Sequence, residues 1–552
     1  MIRPAAVALI LLVALACEEP FRFAAPAAVV RITPDSVTLT LGQTVSLSAA
    51  AEDSAGQVVR RAVSWRSSNG AVATVTAAGV VRGLGSGHAT ITASVDAASG
   101  TAAVVVYVPV SAVTIGLGDQ EIVAGATLRF EAVPRDSVGR PLLDRPVTWS
   151  VADTSVAALA PAEAAALVTG RAPGATTLTA TAEGRSVTVA LTVSTVRFVS
   201  VVAAESDHTC GVADVGVAYC WGSDELGQLG NGVAPGGAAP TRVSGGLALT
   251  AISPGGRFTC ALSNDGDAHC WGSGASGRLG NGSDDDSPVP VAVASAQPLD
   301  GLSSGWGLTC GLGAAGAVSC WGNAGALGSD TLKFSAVPVP IGGELSLHAV
   351  GVGNRYACAL AADATAYCWG TNLNGRLGRT DVEYTDTPLA VEGGLVFDTL
   401  VAGPMHACAL TAAGAAWCWG GNAAGQLGSG TTTGGATPGP VADGLAFRLL
   451  SAGTAHTCGL TADGSAWCWG SNAEGQLGAP TVAESCAGVP CSTTPVAVTG
   501  GLRFVTISAG GAHSCAIATD GVAYCWGGNG AGQLGDGTHT RRPAPTRVVG
   551  QP

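Results

Sequence analysis

Between Val29 and Val196 apolar and polar positions alternate with a period of two. The runs VRITPDSVTLTLGQTVSLSAAAED (from Val30), AVSWRSSN (from Ala62) and ATITASV (from Ala89) are rich in β-branched residues, and Gly, Asp, Ser and Asn punctuate them. Successive side chains of a strand point to opposite faces, so this alternation predicts half-buried strands. The pattern occurs twice. Val63–Ala93, VSWRSSNGAVATVTAAGVVRGLGSGHATITA, corresponds to Val147–Ala180, VTWSVADTSVAALAPAEAAALVTGRAPGATTLTA. Two all-β sandwiches are predicted, with Trp65 and Trp149 in their cores.

From Arg197 a longer period overlies the strand pattern. A Cys-Trp-Gly triplet begins at Cys220, Cys270, Cys320, Cys368, Cys418, Cys468 and Cys525. A second cysteine precedes each by ten positions: Cys210, Cys260, Cys310, Cys358, Cys408, Cys458 and Cys515. In HTCGLTADGSAWCWG the two cysteines are symmetric about Asp463, inside the turn Ala462-Asp463-Gly464. A short bulged hairpin would set them opposite one another, at the separation a disulfide needs. Zinc sites favour C-x2-C or C-x4-C pairs and redox motifs favour C-x-x-C, and neither spacing occurs among these repeat cysteines. Seven structural disulfides are therefore expected, each closing an eleven-residue loop. Cys486 and Cys491, in SCAGVPCS, belong to an insertion between two strands, where an eighth disulfide would pin a protruding loop.

The full repeat is about 50 residues with three or four short strands, a period that suggests propeller blades. The run [AS]-x-G-x-x-H-[TS]-C-x-L-x-x-D-G-x-x-x-C-W-G-x-N-x-x-G-Q-L-G resembles the regulator-of-chromosome-condensation repeat. Seven copies over 197–552 imply a seven-bladed β-propeller, closed by PTRVVG near the C-terminus pairing with the first blade. The third copy is the weakest, with Trp306-Gly307-Leu308-Thr309 in place of the His segment and no G-Q-L-G. The V-x-W strand, V-A-x-V strand and closing G-x-x-x-G-x-A/T-x-[IL]-T-A of residues 29–109 and 110–196 resemble bacterial immunoglobulin-like group-2 domains. That resemblance implies spacer domains of a surface protein. The fold class expected is all-β throughout: two immunoglobulin-like sandwiches, then a propeller.

Composition changes the picture chiefly through charge. The 552-residue chain carries a net charge of −13, a single lysine (Lys333) and no long basic run, which argues against nucleic-acid binding. No apolar run beyond residue 16 approaches membrane-spanning length. MIRPAAVALILLVALACEEP resembles a lipoprotein signal: residues 1–16 form the leader, Cys17 is the lipidated new N-terminus, and 17–28 form a linker. Ala14 and Leu15 depart from that family's usual residues; ordinary secretory cleavage is the alternative. Either route leads to an oxidising compartment, which suits the cysteines.

Candidate chemistry is sparse. His208, His406, His456 and His513 share one repeat position, filled elsewhere by Phe258, Leu308 and Tyr356, which suggests packing or hydrogen bonding more than a metal ring. The CWG tryptophans, with Trp417 and Trp467, read as packing between blades. Asp284, Asp285 and Asp286 are weak candidates for calcium and otherwise a solvated loop. GxxxxGK[ST] and HExxH are absent, and neither cofactor nor catalytic residue is assigned. The expected function is that of an exported, lipid-anchored binding or adhesion protein, not an enzyme, whose partner is a protein or other cell-surface component. Its membrane contact would run through the anchor alone. Trp306, Glu484 and Val489 are candidate contacts. The alternatives are a secreted enzyme inhibitor, a structural envelope protein, or an extracellular hydrolase or lyase.

Overall fold

A computed structural model describes residues 25–162, 165–232, 236–295, 297–323, 325, 327, 332–341 and 345–552. The expected leader, Cys17 and most of the 17–28 linker lie outside the described residues. Among those described, no helix is long and apolar enough to cross a membrane; regular structure is strand, with a few single-turn 3-10 segments. The chain divides into two compact units. One holds residues up to 114 with 133–146 and 181–187, the other 115–132, 147–180 and 188–552.

In the first unit Ser36–Thr40 runs parallel to Ala98–Tyr107, which pairs antiparallel with Gly87–Val95, and this in turn with Ser64–Ser67. A second sheet begins with Val29–Thr33 against Ser48–Glu52. The alternation read from the sequence is the burial pattern: Leu39, Val81, Ile91, Ala93, Val104 and Val106 are buried, and Trp65 is half-buried against them. In the second unit Gln120–Val123 runs parallel to part of Arg185–Ser194. Ala165–Gly170 lies between Thr127–Arg135 and Ala157–Ala162. Phe130, Val168 and Leu178 are fully buried there, and Trp149 is buried.

From Phe198 to Arg547 the chain forms seven consecutive antiparallel sheets, spanning 198–242, 249–292, 299–340, 347–390, 399–440, 447–497 and 504–547; sheets 1 to 7 below are these. Six have four strands in chain order, and sheet 6 has five. In sheet 6 the strands Phe447–Ala452, His456–Thr461, Ala466–Ser471 and Val489–Ala497 follow one another, with Glu484–Cys486 added at the outer edge. The expected strand exchange does not occur. Arg542–Arg547 pairs with Ala523–Gly527 of its own sheet, Cys525 standing opposite Thr546. Each repeat completes its own meander, so no strand is left over to cross to sheet 1.

The cysteine spacing works as the hairpin argument requires. Cys458 stands directly opposite Cys468, and the other six pairs share that register. All seven are disulfide-bonded with Cα–Cα distances of 4.0–4.1 Å. The glycine of each CWG has a geometric reason. At the third-to-fourth strand bulge its φ is 101–109° in all seven copies, a region that a side chain disfavours.

The insertion is a hairpin more than a loop. Glu484–Cys486 pairs with the start of Val489–Ala497 through a turn in which Ala487 and Gly488 have φ of 50° and 88°, the two positive values of a type I′ turn. Cys486 faces Val489 and Cys491 faces Glu484, so the Cys486–Cys491 disulfide crosses the ribbon diagonally.

Candidate functional site at one mouth of the propeller

In an up-and-down sheet the first-to-second turn and the third-to-fourth loop lie at the same end. That end carries every residue expected to bind a partner. Trp306, 43 % exposed, sits in the first turn of sheet 3. Asp284, Asp285 and Asp286 lie in the last loop of sheet 2, and Glu484 and exposed Val489 in the added hairpin of sheet 6. The acidic loop and Trp306 are in neighbouring sheets, whereas the hairpin belongs to another sector of the ring. Asp286 Oδ1 accepts the Gly274 N–H at 2.8 Å, and Ser283 Oγ donates to Asp285 Oδ2 at 2.6 Å. The acidic loop is thus tied to itself, and among the described residues no group of three His, Cys, Asp or Glu could hold a metal.

What holds this end rigid is a repeated polar lock. Thr457 Oγ1 donates to the Gln426 carbonyl at 2.8 Å, and His406 Nε2 lies 2.7 Å from the same hydroxyl. The hydroxyl's single proton goes to the carbonyl, so the ring must donate through Nε2. The same chain runs from His208 through Thr259 to Gln228, from His456 through Ser514 to Gln476, and from His513 through Thr209 to Gln533. The tryptophan of the adjoining sheet donates to that carbonyl too, Trp469 to Gln426 and Trp221 to Gln533 at 2.9 Å. Each CWG tryptophan is fully buried, and Trp526, for example, packs on the Cys458 and Cys468 pair of the preceding sheet. The four histidines are fully buried, with Nδ1 unpartnered. Burial lowers His208 and His456 to about 3 and His406 and His513 to about 4, keeping them neutral. They are inter-sheet hydrogen-bond donors.

The first turns form a tight ring. A Cβ on Gly305, Gly353, Gly403 or Gly453 would meet the next sheet's glycine carbonyl at 2.4–2.5 Å, which explains the glycine that six of the seven repeats keep there. Sheet 1 departs from this. Its turn has four residues, 204–207, where the others have three, and Ala204 N–H reaches the His208 carbonyl as Gly255 N–H reaches that of Phe258. The added residue is Glu205, whose Oε2 is buried without a partner; burial pushes its carboxyl well above the ordinary range.

Two repeat positions vary in a way that sequence reasoning passed over. Two residues after the ring glycine, and at the Gln of G-Q-L-G, sheets 2 and 4 both carry arginine: Arg257 with Arg278, and Arg355 with Arg376. Arg257 and Arg355 are exposed, Arg278 half-buried and Arg376 buried. Arg376 donates to the Leu373 and Asn354 carbonyls at 2.8 Å and lies over the Tyr356 ring. Arg278 lies 5.8 Å from the centre of the Phe258 ring. None of the four is within salt-bridge distance of a carboxylate among the described residues. Burial holds Arg278 below the ordinary value, Asp286 opposing and Arg257 adding to it; burial and then Arg355 act on Arg376, with Tyr356 opposing. Aligning the seven copies column by column would have exposed these pairs. A separate cavity of about 790 Å3, bordered by residues 116–131 and by the outer strand of sheet 1, is less informative. Its charges already pair, Glu121 with Arg242 and Arg129 with Glu131, both at 3.1 Å.

A ring of sequential antiparallel sheets, locked side to side and varied in its loops, defines a β-propeller. Residues 247–551, over half of the chain, match the family model of the RCC1-like domain, and the chain belongs to that family. Residues 26–106 match the bacterial Ig-like domain (group 2). Among solved structures, Prp20p of Saccharomyces cerevisiae, described with its binding to Gsp1p and histones, is 21 % identical with a TM-score of 0.55, over 64 % of this chain and 87 % of that one. Human WBSCR16 is 20 % identical with a TM-score of 0.54, over 60 % and 94 %. At such identities the likeness shows the fold alone. Ice-binding protein 1 of Shewanella frigidimarina is 30 % identical over 169 residues, 30 % of this chain and 19 % of that protein, so the chain spans about a fifth of its length.

Proposed function

We infer that this is an exported protein-binding protein, lipid-attached through Cys17, with two immunoglobulin-like domains (29–109 and 110–196) as spacers and the propeller (197–552) as the binding platform. One observation carries the reading. The disulfides, tryptophans and hydrogen-bond locks repeat, while the side chains at one mouth differ from sheet to sheet. A constant scaffold with varied loops suits recognition of a partner. Eight disulfides support export to an oxidising compartment. Prp20p, described with its binding to Gsp1p and histones, supports a protein partner. Affinity capture from the native cell-surface extract, with the mature chain as bait, tests this. A partner retained by the intact chain and lost on Trp306→Ala or on deletion of 484–492 is expected. The absence of any partner at micromolar affinity would favour a structural envelope role, and a Cys17→Ser chain still sedimenting with membranes would remove the anchor.

A further inference from the structure

The two arginine pairs flank the most irregular sheet of the ring. Sheet 3 has neither the histidine nor the G-Q-L-G glutamine, and its first turn offers Trp306 to solvent. Trp306 lies against the turn of sheet 2: a Cβ on Gly256, the residue before Arg257, would be 3.2 Å from Trp306 Cδ2. The Arg278 guanidinium reaches the same turn of sheet 3, 3.6 Å from where a Cβ on Gly307 would be. On the far side Arg376 Nη1 holds the Asn354 carbonyl at 2.8 Å, beneath the turn that carries Arg355. Arg355 has φ of 65°, a left-handed conformation that a non-glycine residue adopts at some cost and that recurs at binding sites. Pairs of like charges without a carboxylate partner are unfavourable as they stand, and an anion relieves them.

We propose that Arg257, Arg278, Arg355 and Trp306, with Arg376 adding charge from below, form the docking site for a short acidic segment of a protein partner. This rests on the protein-binding reading above and names the chemistry recognised. Guanidinium forks match carboxylates in bidentate pairs, and an exposed tryptophan among them gives the apolar anchor typical of interface hot spots. The surrounding charges bound the occupant's size. Glu205 and Asp207 on sheet 1 and Asp284, Asp285 and Asp286 on sheet 2 stand at the same end. A long polyanion lying across the mouth would meet all of them, whereas a few carboxylates seated at the turns of sheets 2 to 4 would face only the sheet 2 loop, where Asp286 is held by the Gly274 N–H and Asp285 by the Ser283 hydroxyl.

The test is calorimetric titration of the full mature chain with an acetylated, amidated octaglutamate peptide, beside polygalacturonate as a non-protein polyanion. Saturable peptide binding is expected, weakening as salt rises. Arg257→Ala with Arg355→Ala should lower the affinity about tenfold or more, since each charge-assisted pair is worth about as much. Trp306→Ala should lower it several-fold, Arg257→Lys less than Arg257→Ala, and Arg66→Ala on the first sandwich should change nothing. Unchanged thermal midpoints would show that the variants fold. Absence of peptide binding at millimolar concentration, binding indifferent to the arginines, or binding of polygalacturonate alone through them would each overturn the proposal. A partner captured from extract whose binding survives the double arginine variant would sink this site and leave the protein-binding reading standing.

Discussion

A histidine with its whole ring buried against hydrophobic neighbours is neutral, and that makes it a liability in acid. His208, His406, His456 and His513 donate to a neighbouring hydroxyl and gain nothing from a second proton. Their folded values, about 3 to 4, lie below the ordinary 6.5, so in acid the unfolded chain binds more protons. The stability they contribute is whole above pH 6.5 and lost as pH falls toward 4, at up to about 1.4 kcal/mol per pH unit for each. Glu205 has the opposite sign: raised by burial, it favours the fold below the ordinary carboxylate range and less as pH rises. Thermal midpoints measured from pH 7 to pH 4 should therefore fall steeply through the histidine range. His456→Phe, which installs the residue type found at Phe258, should flatten that fall by one proton's share. A midpoint independent of pH between 7 and 4.5 would contradict the neutral assignment.

At the scale of the element, the cysteine hairpin shows why part of the structure was legible. Cys458 and Cys468 are ten residues apart around an Asp-Gly turn, and hairpin geometry then leaves one arrangement, which recurs seven times. Such local periodic signals also revealed the strands and the packing role of Trp469. What spacing along the chain could not reveal was contact between repeats: the bond from Trp469 to the Gln426 carbonyl, the single inserted residue Glu205, or the closing register of Arg542–Arg547. The arginine pairs were missed for a different reason, since each arginine alone reads as ordinary surface charge. The two kinds of disulfide should separate in experiment. Cys458→Ala with Cys468→Ala opens an eleven-residue loop in the packed core and should lower the propeller's stability in denaturant by about 2.5–3 kcal/mol. Cys486→Ala with Cys491→Ala releases an edge ribbon; the unfolding transition should stay in place while residues 484–491 become open to proteolysis. A large loss of stability from the second pair would show the hairpin to be part of the core.

At the scale of the whole ring, the question is what keeps sheet 7 on sheet 1. No strand crosses between them, so the seam depends on non-covalent contacts: Thr209 and Trp221 on the Gln533 carbonyl, His513 on Thr209, and the Ala203 N–H on Ser508 Oγ at 3.0 Å, with the Val196 N–H on the Gly550 carbonyl at 2.6 Å beside them. The difference lies in connectivity. Sheets 5 and 6 are joined by the six residues 441–446, which hold their surfaces at high effective concentration, whereas sheets 7 and 1 are joined only through the rest of the ring. Thr209→Val with Trp221→Phe removes three hydrogen bonds at the closing seam, the one from His513 included, and Thr457→Val with Trp469→Phe removes the equivalent three between sheets 5 and 6. At about 1 kcal/mol net for each bond, opening should become more frequent by roughly tenfold or more where nothing else holds the surfaces together. Hydrogen exchange should therefore accelerate in Phe198–Ala203 and Phe504–Ala509 more than in Thr399–Ala402 and Phe447–Ala452. Equal acceleration at the two seams would mean that the ring opens everywhere alike, and that the short connections between sheets contribute nothing to its closure.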